Sequence, residues 1–254
     1  MNTIGFDIGG TKISAIAWNG KKITAELKLL TPKNLSELKT TLKEMAEFLA
    51  QGATHAKIGI GVAGSVNREK GKVNYSPNLQ YINGFNFKKF FLALGFSEVK
   101  VENDANCFVL AESKLGLGRG LKNFCGLTLG TGLGGGLISQ EKLYVGVHGS
   151  AGEPGWMLAD EKFTFEQKFQ IFKAKENWKD LGALIGRLAA NIQNLLDVEA
   201  IILGGSVARK FAKQITSQAL AEANKHIMDR RIKPKILVSK LKHAGAIGAA
   251  LLFK

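Results

Sequence analysis

The fold is decided by two stretches, Thr3-Ile-Gly-Phe-Asp-Ile-Gly-Gly-Thr-Lys12 and Phe124-Cys-Gly-Leu-Thr-Leu-Gly-Thr-Gly-Leu-Gly-Gly-Gly136. In each of them a short apolar strand leads directly into a glycine-rich turn. Glycine permits positive φ and lets backbone N–H groups come within hydrogen-bond distance of an anion. Because the same device occurs near the start of the chain and again at mid-length, the sequence predicts two related domains that close on one ligand, a polyphosphate.

Polar residues beside the turns complete this predicted phosphate site. Thr11, Lys12 and Thr131 add hydroxyl and ammonium donors. Asp7 is placed to hold a magnesium ion, directly or through water, because magnesium prefers oxygen ligands. The turn glycines that we expect to contact the phosphates are Gly9, Gly10, Gly130, Gly132 and Gly134.

The net charge of +14 on 254 residues raises the question of a nucleic-acid partner. A nucleic-acid site needs basic residues clustered on one stripe with aromatic residues between them. Here the lysines are spread along the whole chain. The charge is therefore interpreted as a solvated surface that also attracts anionic nucleotides by long-range steering, without a nucleic-acid partner.

Composition and cysteine content also indicate where in the cell the protein is expected. Apolar residues make up 45% of the chain, and no apolar run reaches the ~18 residues of a membrane span. The N-terminus leads directly into a strand, so no secretion signal and no membrane partner are expected. Cys107 and Cys125 are isolated in apolar segments, which argues against a disulfide framework or a structural zinc site. The expected location is the cytoplasm.

The pattern of apolar residues predicts the order β-β-β-α-β-β-α in the first half of the chain and the same outline in the second half. Residues 66–82 are predicted to be a loop, and one long helix is predicted to follow Ser206 and to run to about Met228. Three glycines between Gly116 and Gly120 mark the predicted domain boundary. The first domain would comprise residues 1–116 with the C-terminal helix at about 244–254, and the second, nucleotide-binding domain residues 117–243.

Seven motifs, in their order along the chain, resemble those of the ROK family of sugar kinases, and the resemblance covers nearly the whole chain. They are Asp7-x-Gly-Gly-Thr-Lys12, Gly61-Val-Ala-Gly64, Ser76-Pro-Asn-Leu79, Val101-Glu-Asn-Asp-Ala-Asn106, Leu127-Thr-Leu-Gly-Thr-Gly-Leu-Gly-Gly-Gly136, Ala151-Gly-Glu-Pro-Gly155 and Ile202-Leu-Gly-Gly205. Periodicity alone indicates two α/β domains with a phosphate site. The resemblance implies two duplicated actin/hexokinase-like (ribonuclease H-like) domains with an interdomain cleft for nucleotide and sugar.

The resemblance also implies a reaction, the transfer of the γ-phosphoryl group of ATP to a sugar hydroxyl. Asp104 matches the catalytic base of the family; the alternative from the residues alone is a helix N-cap, since a helix is predicted to begin there. Asn103 and Glu153 resemble family residues that hydrogen-bond the sugar. Other expected sugar contacts are Gly64, Ser65 and Asn78, and Gly204 with Gly205 match a turn that lies against adenosine.

The chain departs from the family pattern where the family binds a structural zinc. The family histidine after Glu-x-Gly is replaced by Trp156, and no cysteine follows Cys125. The resemblance therefore implies ATP and magnesium as cofactors and no zinc. Trp156 lies beside Glu153 and is expected to stack on a sugar. Glu166 is either the sugar-holding glutamate that follows the zinc loop in the family or a solvent-facing helix carboxylate.

Three functions remain as hypotheses after this comparison of motifs. The leading one is a hexokinase-type enzyme whose acceptor is glucose or an N-acetylated hexosamine. A transcriptional regulator of the same family would carry an N-terminal winged helix, whereas this chain starts at the first strand. A nucleotide- and sugar-binding sensor, or pseudo-kinase, is the alternative suggested by the reduced sugar site. The expected partners are small molecules, with a homodimer left open.

Overall fold

The structure, a computed structural model that describes residues 3–52 and 55–253, contains two mixed β-sheets of five strands each. The chain divides into unit 1, Met1–Ala111 with Lys242–Lys254, and unit 2, Glu112–Leu241. The domain limits at residues 116 and about 244 stay predictions.

The described residues of the first half of the chain, 3–52 and 55–115, include seven strands and three helices. In chain order they are β1 (Thr3–Ile8), β2 (Lys12–Trp18), β3 (Ile23–Leu30), α1 (Leu35–Ala50), β4 (Lys57–Val62), β5 (Ser65–Asn67), β6 (Lys72–Tyr75), α2 (Phe87–Ala93), β7 (Glu98–Asn103) and α3 (Asp104–Leu115).

The second half supplies five strands and five helices. They are β8 (Phe124–Leu129), β9 (Leu133–Ser139), β10 (Lys142–Tyr144), α4 (Phe165–Ala174), α5 (Trp178–Leu196), β11 (Ala200–Gly204), α6 (Gly205–Lys210), α7 (Ala212–His226), β12 (Ile236–Val238) and α8 (Ala244–Ala250).

Both five-stranded sheets have the same topology. The first has the order β3-β2-β1-β4-β7, and the second has the order β10-β9-β8-β11-β12. In each, the first strand of the unit is central; neighbouring strands pair antiparallel on one side of it and parallel on the other. This repetition confirms the predicted duplication of an α/β domain.

Helices cover these sheets with their apolar faces, which come from a 3–4 spacing of apolar residues in the sequence. Leu38, Leu42 and Met45 of α1 are buried, because their spacing places them on one face of the helix. Phe87 and Phe91 of α2 are fully buried, and this helix packs against β7 of the first sheet. Among residues 3–52 and 55–253, no helix is both long enough and apolar enough to cross a membrane.

The last helix, α8, packs against β1 and β4 of unit 1. The contact is closest at Gly59, where an added Cβ would lie 1.9 Å from the carbonyl oxygen of Ala249. Glycine at this position is therefore required by the approach of the helix backbone to the sheet.

The predicted order of elements was wrong in three places. Residues 66–82 contain most of a small hairpin, β5–β6, whose short strands carry too little alternation to be recognised. The interval before α5 contains α4, which the predicted order omitted. The long helix after residue 206 breaks at Phe211, whose backbone leaves the helical region and whose ring stacks on Trp178 with the centroids 3.7 Å apart.

Candidate active site

Three parallel strands of unit 1 end at one edge of the first sheet. Ile8 of β1 is in register with Val62 of β4, and Val62 is in register with Asn103 of β7. The carboxyl ends of neighbouring parallel strands are where open α/β sheets bind ligands. This register brings Asp7, the loop after β4 and Asp104 to the same edge, although they lie far apart in sequence.

Asp7 and Asp104 form a pair of partly buried carboxylates at this edge. Burial and, as a smaller effect, the negative charge of Asp104 raise the pKa of Asp7 to about 7, while Lys28 acts in the opposite direction. Burial also raises the pKa of Asp104, against the hydrogen bond from the Ala105 N–H. Burial therefore makes both carboxylates stronger proton acceptors than carboxylates in water, and for Asp7 the charge of Asp104 adds to this effect.

The helix cap at the start of α3 comes from Asn103. Its Oδ1 accepts from the backbone N–H groups of Ala105 at 2.8 Å and Asn106 at 3.1 Å, while its Nδ2 donates to the Gly64 carbonyl at 3.0 Å. The Asp104 side chain accepts from Ala105 N–H at 3.0 Å, within its own first turn. The alternative interpretation of Asp104 as the N-cap is therefore not supported, since that role belongs to its neighbour.

Glu102 and Arg68 form an ion pair behind this cap. Arg68 donates from Nε and Nη2 to the two carboxylate oxygens of Glu102, at 2.5 and 2.6 Å. The Glu102 side chain is 4% exposed, and its Oε1 also accepts from Asn103 N–H at 2.8 Å and Asn106 Nδ2 at 3.0 Å. The pair therefore supports the backbone that carries Asn103 and Asp104. Sequence analysis assigned no role to either residue.

Residues 9–12, the first glycine turn, are held at their carbonyl groups. Gly9 N–H donates to the Lys12 carbonyl at 3.1 Å, which closes the turn. Thr31 donates its hydroxyl to the Gly9 carbonyl at 2.7 Å and its N–H to the Thr11 carbonyl at 3.1 Å. Sequence analysis missed Thr31, because it contacts the turn only when β2 and β3 are paired.

The other predicted sugar residues of unit 1 lie around the same edge. Gly64 follows β4 and is tied to Asn103, and Ser65 begins β5. Asn78 is exposed and lies against Gly10 of the first glycine turn. The structure thus brings Asp7, the first glycine turn and these residues together within unit 1.

In unit 2, the turn that joins β8 and β9 is the second glycine turn, residues 130–133. Gly130 N–H donates to the Gly132 carbonyl at 3.0 Å. Gly204, at the end of β11, is in register with Thr128 of the parallel strand β8, so the two strands end at the same edge. Gly205 has φ of +89° and lies against Leu129, which places the β11–α6 turn beside the second glycine turn.

Side chains of α4 contact this turn from one face of the helix. Glu166 accepts from Leu133 N–H at 2.6 Å and from Gln170 Nε2 at 2.6 Å. Gln170 Nε2 also donates to the Thr131 carbonyl at 2.7 Å, and Lys173 Nζ donates to the Thr131 carbonyl at 2.6 Å and to the Gly130 carbonyl at 3.3 Å. The Glu166 carboxylate therefore contacts the second glycine turn and is not simply a solvent-facing helix carboxylate.

Glu153 and Trp156 lie on a short segment that packs against β9 and α4. Glu153 is partly buried, and the Trp156 side chain is 62% exposed. The Trp156 N–H donates to the Glu153 carbonyl at 3.2 Å. The segment thus places Glu153 and Trp156 next to α4, the helix that carries Glu166. Gly134, a predicted nucleotide contact, lies within β9.

We expect Asp7→Asn to change how stability depends on pH. Because the folded protein holds a proton on Asp7 up to a pKa of about 7, it binds more protons than the unfolded chain between about pH 4 and 7. Its free energy of unfolding should fall by up to about 4 kcal/mol as pH rises through this window. Urea titrations at pH 5 and pH 7.5 without magnesium should show the part of this fall that lies above pH 5, about 3 kcal/mol, in the wild type. If the free energy of unfolding of Asp7→Asn fell by as much over the same pH range, the dependence would not come from the raised pKa of Asp7.

Comparison with known proteins agrees with this geometry. The sequence profile of the ROK family matches residues 3–169 and 161–254. The chain is 34% identical over 167 residues to the beta-glucoside kinase of Listeria monocytogenes, across 65% of this chain and 56% of the relative. It is 39% identical over 154 residues to the glucokinase of Streptomyces coelicolor, across 60% of this chain and 48% of the relative. These matches span about half the length of the curated relatives.

A solved structure matches over the full length. The crystal structure of a ROK family glucokinase from Streptomyces griseus, in complex with glucose and AMPPNP, aligns with a TM-score of 0.86 and 25% sequence identity over 99% of both chains. The profile, the order of the motifs and this shared fold lead to one conclusion. The chain belongs to the ROK family.

Proposed function

We propose that the protein transfers the γ-phosphoryl group of ATP to a hydroxyl group of a hexose, with glucose or an N-acetylated hexosamine as the acceptor. The observation that carries this proposal is the environment of Asp104. Its carboxylate is partly buried beside Asp7 at the carboxyl edge of the first sheet, and Asn103 caps the helix in its place. Membership of a family that includes glucokinases supports the assignment.

Asp104 acts as the general base. As the sugar oxygen forms its bond to the γ-phosphorus, the bond from that phosphorus to the β,γ-bridging oxygen breaks and ADP leaves. The hydroxyl proton passes to the Asp104 carboxylate. In a loose phosphoryl-transfer transition state, positioning and late acceptance of the proton suffice. Burial raises the pKa of Asp104, which improves it as an acceptor over an exposed carboxylate.

Asp7 fits a magnesium site by its chemistry. It supplies the oxygen donors that magnesium prefers, and the nearby charge of Asp104 makes its ionised form unfavourable until a cation compensates it. Asp7 would hold the ion, directly or through water, and the ion would neutralise charge on the β- and γ-phosphates. ATP and magnesium are thus the cofactors that we propose.

The remaining residues divide between the sugar and the nucleotide. In unit 1, the sugar contacts are Gly64, Ser65, Asn78 and Asn103. In unit 2, they are Glu153, Trp156 and Glu166. Glu166 already accepts two hydrogen bonds, but a carboxylate has about four acceptor positions, which leaves capacity for a sugar hydroxyl. The nucleotide contacts are Gly9, Gly10, Thr11, Lys12, Gly130, Thr131, Gly132, Gly134, Gly204 and Gly205.

The partners that we propose are therefore a hexose and a nucleotide, with a second copy of the chain as a candidate protein partner. The cytoplasm is the compartment that fits ATP as the phosphoryl donor. It also fits Cys107 and Cys125, which are buried free thiols in the structure.

The test is an assay that follows ADP formation with ATP, magnesium and a panel of hexoses. Glucose, N-acetylglucosamine, N-acetylmannosamine, mannose and fructose should be compared, and at least one of them should give turnover well above ATP hydrolysis without sugar. Binding of a hexose and of nucleotide without transfer would instead support the sensor, or pseudo-kinase, alternative.

We expect the purified enzyme to work with magnesium and without zinc. Cys107 and Cys125 lie in different units, and among residues 3–52 and 55–253 no group of three or more His, Cys, Asp or Glu side chains is arranged to hold a metal ion. A closed structural zinc site needs four ligands. Elemental analysis should find less than a tenth of an equivalent of zinc, whereas a full equivalent would contradict this prediction.

A further inference from the structure

Three side chains of α4 hydrogen-bond to the backbone of the second glycine turn on the side that faces the helix. Lys173 and Gln170 donate to carbonyl oxygens of the turn, those of Gly130 and Thr131, and Gln170 also donates to Glu166. Glu166 accepts from Leu133 N–H at the end of the same turn. The three side chains have the spacing i, i+4 and i+7, which places them in a row along one face of the helix. We name this row, Glu166, Gln170 and Lys173, the α4 clamp.

The clamp determines where the amide groups of the turn point. In a planar trans peptide the N–H of one residue is directed opposite to the C=O of the residue before it. When the carbonyls of Gly130 and Thr131 face α4, the N–H groups of Thr131 and Gly132 are directed away from it. Successive N–H groups that point the same way form an anion-binding concavity. The clamp therefore orients the two amides toward a common anion.

The Lys173 side chain is well placed for this role. Its ammonium lies 5.1 Å from the centre of the Phe169 ring, and Phe169 is fully buried. Partial burial lowers the pKa of Lys173, while the carboxylate of Glu166 acts in the opposite direction. A cation bound to the carbonyl side of the turn also polarises the peptide groups, which makes their N–H ends better donors.

We propose that Lys173 and Gln170 are positioning residues for the polyphosphate of the nucleotide, because they hold the carbonyls of the second glycine turn so that its amides face the phosphates. This inference rests on the proposed function in assigning nucleotide to the turn. It adds a role for two residues that lie outside the glycine motif and act through the backbone.

The first experiment measures nucleotide affinity by calorimetry without sugar, so that no chemistry is needed. Lys173→Met should weaken binding of magnesium AMPPNP roughly tenfold or more, since it removes charge-assisted hydrogen bonds to two carbonyls. Binding of adenosine, which lacks phosphates, should change less than twofold. Lys173→Arg, which keeps the charge and the donors, should recover most of the lost affinity.

A matched control is Lys175→Met. Lys175 is exposed two residues further along the chain, and the substitution removes the same charge. Its affinity for magnesium AMPPNP should stay within about twofold of the wild type, which separates the clamp from general attraction of an anion to a basic surface. An equal loss in Lys175→Met and Lys173→Met would overturn the proposal.

A second, milder variant keeps the proposal testable if Lys173→Met does not fold. Gln170→Met removes only one neutral donor to Thr131 and one to Glu166, and we expect a smaller loss of AMPPNP affinity, about threefold, with an unchanged thermal transition. Unchanged AMPPNP affinity in both folded clamp variants, or an equal loss for adenosine, would overturn the proposal.

These outcomes are distinct from failure of the proposed function. If the wild type binds magnesium AMPPNP but phosphorylates no hexose of the panel, the kinase assignment fails and the affinity measurements still decide the role of the clamp. In an active enzyme, Lys173→Met should raise the KM for ATP and leave the KM for the sugar within about twofold.

Discussion

Replacing Asp104 by asparagine should lower kcat by at least about a hundredfold while sugar binding is largely retained. The substitution keeps the size of the side chain and an oxygen that can accept from Ala105 N–H, but an amide does not take up the hydroxyl proton. General-base catalysis is typically worth ~10²–10⁴-fold. Turnover should be measured with the best hexose of the panel, and affinity for that hexose by calorimetry.

Two controls accompany this prediction. Glu47→Gln, which removes one exposed carboxylate from α1 of the same unit, should leave kcat unchanged. The wild-type kcat/KM should fall on the acid side with an apparent pKa above 3.8, because burial raises the pKa of Asp104. An Asp104→Asn enzyme that keeps more than about a tenth of wild-type kcat would refute the base assignment.

Replacing Arg68 by methionine should be the substitution most damaging to stability. It leaves the Glu102 carboxylate, which is 4% exposed, without its cation. Removing one partner of a buried pair costs about 3–5 kcal/mol, because the remaining charge stays desolvated. Urea denaturation at pH 7 should show this loss as a lower midpoint with an unchanged m-value.

The double variant Arg68→Met with Glu102→Gln tests the cause. The glutamine oxygen can still accept from Asn103 N–H and Asn106 Nδ2, but no charge is buried, so at least half of the lost free energy of unfolding should return. A loss below 1 kcal/mol in Arg68→Met would place the pair with exposed ion pairs, which contribute little. It would then not support the backbone of Asn103 and Asp104.

Most of the fold could be predicted because its signals are local. The apolar strand before each glycine turn is readable within about ten residues, and so is the 3–4 spacing of Leu38, Leu42 and Met45. Elements with weak local signals were not predicted, or were predicted with the wrong bounds. The β5–β6 hairpin has strands of three and four residues, and the break at Phe211 depends on the ring of Trp178, which is distant in sequence.

The candidate site, like the fold, has parts that local motifs predict and parts that depend on tertiary contacts. Motifs of a few residues predict the glycine turns and Asp7 as site elements, and the resemblance to the family adds Asn103 and Asp104. The capping role of Asn103 was not predicted, because two adjacent polar residues at a helix start are equally good candidates until the backbone geometry distinguishes them. Glu166 had two open interpretations, and the structure shows its carboxylate on the N–H of Leu133.

The sequence by itself thus determined where the glycine turns lie, which segments form most of the strands and helices, and to which family the chain belongs. The tertiary structure alone decided which side chains hold those turns. Thr31 reaches the first glycine turn across a strand pair, and Lys173 reaches the second from a helix about forty residues later. Such hydrogen bonds join residues with no sequence relation, so they exist only once packing has fixed the distance between them.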